Sequence, residues 1–368
     1  MKESIHQPAR STRRKLLQFA VLATTLIGWT NDAAFGQRRV VGYYPAASRS
    51  TFPCTMVDYT QLTHIAEAFV WTTTNGTLTV PPYFEYPELV QTAHAHGAKI
   101  VISIGGGSKS GNLPAVANDP VARTRFVRQL TAYCTTHHYD GVDIDWEAPK
   151  NATDRFNFTA LARELHEELK AVSPNLTLSA AIRPTPGNGQ WLEVEKLNEY
   201  LDWFGVMTYD FHGTWSQHSG YNAPLYESPG DRHKNYYVDA SVRYYLSRSV
   251  PKDKLLIGIP FYAYQFDSTG LYATNSGARE LVYADAIQRM TNGWKRLWDT
   301  VSQVPRLVNP EHTELITYDD PQSVRSKCEY AVHNQLGGAI IWALGQDAYP
   351  GKTNELLTVV GQILLRRH

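Results

Sequence analysis

Short apolar runs rich in valine and isoleucine recur along the chain, separated by stretches with helical periodicity. About eight runs can be counted, at residues 40–44, 63–70, 99–105, 141–146, 176–182, 203–209, 255–261 and 338–343. This alternation is typical of parallel β/α units. Eight units in roughly 330 residues predict an α/β protein with a closed (β/α)8 TIM barrel. A doubly wound open sheet is the alternative, because counting strands does not prove closure.

The longest interruption of the pattern lies between Tyr264 and Leu315. We interpret it as a short insertion between strands seven and eight, and its periodicity predicts a helix over residues 283–298. The chain contains no internal repeat, low-complexity tract or Pro/Ser-rich linker. A single domain over residues 37–368 is therefore predicted.

The first 36 residues have the features of an export signal. A basic stretch at residues 10–15 precedes an apolar run at residues 16–29, which small residues follow. The run is too short to span a bilayer comfortably. Residues 12–17 resemble a twin-arginine signal, and a general secretory signal is the alternative. We expect residues 1–36 to be removed, leaving an exported protein, periplasmic or extracellular, with no membrane attachment.

Composition excludes several classes of function. The chain has 35 basic and 35 acidic residues, so we expect no phosphate-seeking surface and no nucleic-acid partner. Its three cysteines, Cys54, Cys134 and Cys328, are widely spaced and odd in number, which indicates neither a disulfide framework nor a zinc motif. We expect them to be buried, and we expect a monomer that needs no metal or cofactor.

The stretch from Asp140 to Glu147 carries the most informative chemistry. Because side chains alternate along a strand, Asp143, Asp145 and Glu147 share one face and the apolar residues between them share the other. In a barrel the acids would face inward and rise toward the C-terminal rim, where active sites lie. Crowded carboxylates cannot all ionise comfortably, so one should hold a proton, as a general acid must. A calcium or magnesium site is the alternative.

Four ordered motifs resemble those of glycoside hydrolase family 18, the chitinase family. The acidic strand matches the signature DxxDxDxE, and residues 103–106 match the motif SxGG at the end of the third strand. Residues 207–210 match MxYD after the sixth strand, and Trp342 matches the tryptophan of the last strand. The similarity extends from about Val40 to Leu344. It implies a barrel that hydrolyses β-1,4 bonds in chitin or another N-acetylglucosamine polysaccharide.

The resemblance also implies catalytic roles. Glu147 would protonate the glycosidic oxygen and later activate water, and the nucleophile would be the 2-acetamido oxygen of the substrate itself. Asp145 would orient the acetamido group and stabilise its positive charge, moving between Asp143 and Glu147. Asp143 would share a proton with Asp145. Tyr209 would donate a hydrogen bond to the acetamido carbonyl.

The same resemblance implies a substrate-binding set. Tyr43 and Ser103 would hydrogen-bond Asp143, while Asp210 and Met207 would line the subsite of the reacting sugar and Trp342 would form its floor. Gly105, Gly106 and Phe69 complete the set. One feature departs from the family pattern, because Gly107 and Ser108 follow SxGG where many relatives carry an aromatic platform for the leaving-side sugar. Trp215 is the candidate that replaces it.

Two other classes of function stay open at this stage. A chitin-binding lectin is one, although Glu147, the residue that such lectins lose, is retained. The other is an endo-β-N-acetylglucosaminidase or a peptidoglycan hydrolase, which would use the same carboxylates with different loops. The sequence favours a chitinase that acts by substrate-assisted, retaining catalysis.

Overall fold

A computed structural model describes residues 38–147, 149–349 and 354–366, together with residues 1 and 4. Apart from those two residues, the predicted export signal lies outside the described residues. The strands of the described chain are Arg39–Pro45 (β1), His64–Thr72 (β2), Leu78–Thr79 (β3), Lys99–Gly105 (β4), Gly141–Asp145 (β5), Thr177–Ile182 (β6), Trp203–Val206 (β7), Leu255–Pro260 (β8), Tyr262–Phe266 (β9), Ala278–Val282 (β10), Lys295–Asp299 (β11), Val304–Val308 (β12), Leu315–Thr317 (β13) and Gly338–Trp342 (β14). The α-helices are Pro87–Ala95 (α1), Leu113–Asn118 (α2), Pro120–Thr136 (α3), Ala152–Val172 (α4), Pro186–Gly189 (α5), Val194–Tyr200 (α6), Val238–Ser247 (α7), Tyr283–Gln288 (α8), Pro321–His333 (α9) and Glu355–Leu364 (α10).

Eight parallel strands close into a barrel. They pair in the order β1-β14-β8-β7-β6-β5-β4-β2, and β2 pairs back onto β1. Each apolar run counted in the sequence corresponds to one of these strands. The predicted (β/α)8 barrel is confirmed, and the open-sheet alternative is excluded by the β1–β2 pairing.

Strand alternation divides the core into two layers. On β4, Ile100, Ile102 and Ile104 belong to the large apolar cluster between the sheet and the helices, whereas Val101 lies in the barrel interior. Side chains cap the amino ends of helices α3, α4 and α9. The Asp119 side chain accepts the amide hydrogens of Val121 and Ala122 at the start of α3, satisfying donors that the helix leaves unpaired.

The insertion between β8 and β14 is a five-stranded antiparallel sheet, ordered β10-β9-β13-β12-β11. Its position agrees with the prediction, but the helix predicted over residues 283–298 is wrong in its second half. Helix α8 ends at Gln288, Gly293 takes a left-handed φ of 84°, and the segment that follows forms β11. Pairing with the next strand, β12, decides this conformation, and the periodicity of residues 283–298 alone does not reveal that pairing.

The three cysteines agree with the sequence-based expectation. Cys54, Cys134 and Cys328 are free and buried, and burial raises the pKa of Cys134 to about 12. Because a thiol is far less nucleophilic than a thiolate, these side chains behave as small apolar core residues. Over the described ranges, no helix combines the length and the apolar character needed to cross a membrane.

An unexpected acid, Glu67, lies on the helix-facing side of β2 and is fully buried. The Tyr139 hydroxyl donates to its Oε2 at 2.6 Å, and its Oε1 is buried without a hydrogen-bond partner in the described chain. Burial raises the pKa of Glu67 to about 8, although the Tyr139 hydrogen bond opposes the shift. Glu67 is therefore mostly protonated at neutral pH.

We predict that Glu67→Gln flattens the pH dependence of the free energy of unfolding. The folded-state pKa of Glu67 lies above its ordinary value near 4.5, so its contribution to stability is complete below that value and is lost as pH rises through about 8. The loss in the wild type is several kcal/mol at most, at about 1.4 kcal/mol per unit of pKa shift.

Urea unfolding between about pH 5 and about pH 8 measures this effect. Stability of the wild type should fall more steeply with pH than that of Glu67→Gln. The exposed residue Glu311 offers the control Glu311→Gln, whose slope should match the wild type. Equal slopes for all three proteins would contradict the prediction.

Candidate active site

A cleft of about 320 Å³ opens at the carboxyl ends of the barrel strands. Nine of the side chains and glycines predicted from the sequence line it, namely Tyr43, Phe69, Gly106, Asp145, Glu147, Met207, Tyr209, Asp210 and Trp342. Four others do not, namely Ser103, Gly105, Asp143 and Trp215. The first three of these lie beneath the cleft, in or next to the barrel interior, and Trp215 lies outside it.

Asp143 is buried inside the barrel and accepts three hydrogen bonds from hydroxyl groups. Tyr43 and Ser103 donate to its Oδ2 at 2.7 and 2.8 Å, and Ser179 donates to its Oδ1 at 2.6 Å. Ser103, Asp143 and Ser179 are register partners on β4, β5 and β6, so the strand pairing itself brings them together. Burial raises the pKa of Asp143 and the three hydrogen bonds oppose that rise.

Asp145 lies two residues after Asp143, at the end of β5 and nearer the rim. Its environment is different. Its Oδ1 is buried without a hydrogen-bond partner among the described residues. Burial, followed by the charges of Glu147 and Asp143, raises the pKa of Asp145 well above its usual range. Burial therefore favours the protonated form of Asp145.

Glu147 lies beyond the end of β5, at the rim, with 27% of its side chain exposed. The Gly107 amide donates to its Oε1 at 2.7 Å, and the Arg183 guanidinium donates to its Oε2 through Nη2 at 2.7 Å. Both donors stabilise the ionised carboxylate. A partly exposed carboxylate beside a protonated, buried Asp145 can exchange a proton with a group in the cleft.

Glycines after β4 allow the chain to pass close to β5 and to the cleft floor. Gly105 and Gly106 have left-handed φ values of 99° and 71°. A Cβ on Gly105 would lie 2.4 Å from the Asp145 carbonyl oxygen, and one on Gly106 would lie 2.3 Å from the Phe69 ring. These positions therefore require glycine for both conformation and space, and the turn they make aims the Gly107 amide at Glu147.

Aromatic rings form the floor of the cleft. Phe69 stacks on Trp342 with ring centroids 5.6 Å apart, and Tyr43 packs against the same indole at 5.7 Å. Trp342 is partly exposed at the end of β14. An indole face held in this way can pack against the C–H groups of a sugar ring.

Residues that follow β7 form the wall of the cleft. Asp210 has a left-handed φ of 60°, and its Oδ1 accepts hydrogen bonds from the hydroxyls of Tyr262 and Tyr264 at 2.5 and 2.8 Å. Burial, together with the charges of Asp145 and Asp210, raises the pKa of Tyr209 well above its usual range. The Tyr209 hydroxyl therefore keeps its proton and can act as a hydrogen-bond donor.

Trp215 does not belong to the cleft lining. Its side chain is 58% exposed and packs edge-on against Tyr264, with ring centroids 5.7 Å apart. Tyr264 does line the cleft, so Trp215 lies next to a residue of the cleft wall.

Sequence reasoning missed Arg183, Tyr264 and Glu280, which all line the cleft. Arg183 directly follows β6, and its position at the carboxyl end of a barrel strand was a usable signal. Glu280 and Tyr264 are cross-strand partners on β10 and β9 of the insertion. That pairing follows from the antiparallel sheet, which the periodicity did not predict.

Comparison with known proteins identifies the family to which this chain is similar. Residues 39–347 match the family described as Glycosyl hydrolases family 18. The chain is 32% identical over 289 residues to "Probable chitinase 2" of Drosophila melanogaster, covering 71% of this chain and 58% of that protein. It is 30% identical over 294 residues to "Chitinase A1" of Niallia circulans, covering 70% of this chain and 42% of that protein. The chain thus matches less than two thirds of the length of either relative.

A solved structure extends the match to three dimensions. The second catalytic domain of Group II chitinase from Ostrinia furnacalis, a mutant in complex with penta-N-acetylchitooctaose, superposes with a TM-score of 0.84 at 25% identity. The superposition covers 89% of this chain and 97% of that domain. The family match spans nearly all of the described barrel and includes the acidic strand and the cleft above it. The chain belongs to glycosyl hydrolase family 18.

Proposed function

We propose that this chain hydrolyses β-1,4 bonds between N-acetylglucosamine units in chitin and chitooligosaccharides. The observation that carries the proposal is the arrangement of two neighbouring acids: Asp145 is buried with an Oδ1 that has no partner among the described residues, and Glu147 reaches the rim of the cleft, where the Gly107 amide and Arg183 bind its carboxylate. The relatives named as chitinases and the related domain with a bound chitooligosaccharide support this choice of substrate.

In the proposed reaction Glu147 takes the proton of Asp145, which becomes a carboxylate, and delivers that proton to the leaving oxygen. The bond between the anomeric carbon and that oxygen breaks, and the 2-acetamido oxygen of the same sugar bonds to the anomeric carbon to form an oxazolinium ion. Water then attacks the anomeric carbon and gives one proton to Glu147, while the bond between that carbon and the acetamido oxygen breaks and restores the acetamido group. Two displacements on one carbon retain the β configuration.

The neighbouring residues have supporting roles in this proposal. Tyr209, held protonated by its buried position, would donate to the acetamido oxygen and place it under the anomeric carbon. Asp145 would bind the acetamido N–H and balance the positive charge of the oxazolinium. Trp342 and Phe69 supply the apolar floor beneath the sugar.

We predict that Glu147→Gln abolishes turnover while binding persists. The amide keeps the shape of the side chain but has no proton to deliver, so kcat on a chitooligosaccharide should fall about 10²–10⁴-fold. Steady-state kinetics measure the loss, and calorimetry with the same oligosaccharide measures binding. Glu311→Gln is the matched control and should retain wild-type kcat.

Retention of more than about a tenth of wild-type kcat in Glu147→Gln would contradict its role as the acid. The wild type should be assayed on colloidal chitin, a glycoprotein and bacterial cell walls in parallel. Activity on the second or third substrate alone would favour the endo-β-N-acetylglucosaminidase or peptidoglycan alternative. Binding without hydrolysis by the wild type would favour a lectin.

A second prediction concerns the sugar whose anomeric carbon is attacked. Asp143 and Asp145 share one strand with the segment that carries Glu147, whereas an enzymic nucleophile would face the acid across the sugar ring, about 5–5.5 Å from it. The substrate must therefore supply an N-acetyl group. Partially deacetylated chitosan should give products whose new reducing ends are all N-acetylated and initially β, as NMR can measure. Glucosamine at new reducing ends, or an initial α-anomer, would rule out this mechanism.

We also propose that residues 1–36 direct export, so that a monomeric barrel acts in the periplasm or outside the cell. The basic stretch followed by an apolar run in the sequence supports this. Mass spectrometry of the exported protein should find its first residue near position 37. An exported protein that still carries residues 1–36 would contradict the proposal.

A further inference from the structure

Both oxygens of the Glu147 carboxylate are occupied by groups that can only donate hydrogen bonds. The Gly107 amide binds Oε1 and the Arg183 guanidinium binds Oε2, each at 2.7 Å. Neither an amide N–H nor a guanidinium offers a lone pair to an O–H group. A proton on Glu147 would remove the negative charge that strengthens both hydrogen bonds, so protonation of Glu147 weakens these two contacts.

Of the two contacts, the hydrogen bond from Arg183 is the one that can open more easily. The Gly107 amide is part of the backbone in the glycine turn. The Arg183 side chain is 37% exposed, and its Nε is buried without a hydrogen-bond partner in the described structure. The ion pair thus depends on a single Nη2 contact instead of the two-pronged geometry that makes arginine–carboxylate pairs rigid. The backbone beneath is fixed, because the Tyr245 hydroxyl donates to the Arg183 carbonyl at 2.5 Å.

Arg183 also has an unusual electrostatic position. Within the described part of the cleft lining it is the one cation, and the carboxylates around it are Asp145, Glu147, Asp210 and Glu280. Its charge lowers the pKa of Asp145, Tyr209 and Asp210, opposing the larger effect of burial on each. The same three groups also feel the charge of Glu147. Glu147 therefore faces Asp145 from β5, Arg183 from the end of β6, and Tyr209 and Asp210 from the segment after β7.

We propose that Arg183 is the positioning residue of the acid/base. It holds the Glu147 carboxylate ionised against the Gly107 amide in the resting cleft, and its ion pair opens when Glu147 accepts the proton of Asp145. This inference rests on the proposed function, which makes Glu147 the acid. In the transfer the O–H bond of Asp145 breaks and an O–H bond forms on Glu147, while the guanidinium stays protonated throughout.

The test replaces Arg183 and follows the pH dependence of kcat/KM on a chitooligosaccharide. In Arg183→Gln the Asp145–Glu147 pair loses its nearest cation and keeps its shared proton to higher pH, so both limbs of the profile should move up by about one pH unit. The kcat at the optimum should fall several-fold because the carboxylate is no longer held. Arg183→Lys keeps the positive charge but not the planar guanidinium. It should therefore shift both limbs of the profile in the same direction, by less than Arg183→Gln does.

The control is Arg163→Gln, which removes an exposed arginine 3.9 Å from Glu167 on α4 and should leave the profile unchanged. A structural role for Arg183 would lower activity or stability without moving either limb. Limbs of Arg183→Gln and Arg183→Lys that coincide with those of the wild type would overturn the inference. If Arg183→Gln does not fold, the shift in Arg183→Lys decides.

A measurement without substrate separates this inference from the proposed function. Carboxyl ¹³C NMR of the wild type and Arg183→Gln, with Asp145→Asn for assignment, should show the Asp145 signal titrating at higher pH once Arg183 is removed, because the Arg183 charge lowers the pKa of Asp145. Coincident titrations would reject the role of Arg183 even in an active chitinase. A wild type that hydrolyses none of the tested glycans would reject the proposed function, and the NMR result would still decide the coupling.

Discussion

Two carboxylates buried inside the barrel impose the constraint on which the rest of the site depends. Burying a carboxylate is costly unless it is hydrogen-bonded or protonated, and the two acids meet this cost in different ways. Asp143 accepts three hydroxyl hydrogen bonds from Tyr43, Ser103 and Ser179. Asp145 has a buried oxygen without a partner in the described structure, and burial raises its pKa well above the usual range, which favours its protonated form. Hydroxyl groups on β1, β4 and β6 thus all bind Asp143, and none of them binds the unpartnered oxygen of Asp145.

Beyond the end of β5, Glu147 connects the two buried aspartates with the cleft. Glu147 leaves the strand, so its carboxylate reaches the rim and meets the Gly107 amide and Arg183. The same glycine turn that supplies the amide lets Phe69 approach closely and stack on Trp342. The glycine turn therefore contributes both to the hydrogen bonding of Glu147 and to the packing of the aromatic floor. A side chain on Gly106 would disturb both.

The leaving side of the cleft differs from the pattern that the family resemblance implies. Gly107 stands where an aromatic platform was expected, and Trp215 lies outside the lining, behind Tyr264. The antiparallel sheet of the insertion brings Tyr264 and Glu280 to the cleft, where they extend the wall formed by the residues that follow β7. Asp210 is held by two tyrosine hydroxyls and Arg183 is the nearby cation, so this cleft is both acidic and rich in phenols.

The sequence by itself determined the eight parallel strands, the acidic strand and most of the cleft lining, whereas the pairing of β1 with β2 decided that the sheet closes. These features are local, because alternation along a strand decides which side chains face inward, and the carboxyl ends of barrel strands decide where they meet. The contribution of Ser179, the ion pair of Arg183 with Glu147, the burial of Glu67 and the strand at residues 295–299 were decided by the tertiary structure alone. Each depends on which segments become neighbours across the sheet or the cleft, and a hydrogen bond, an ion pair or a desolvated carboxyl exists only once folding has brought its partners together.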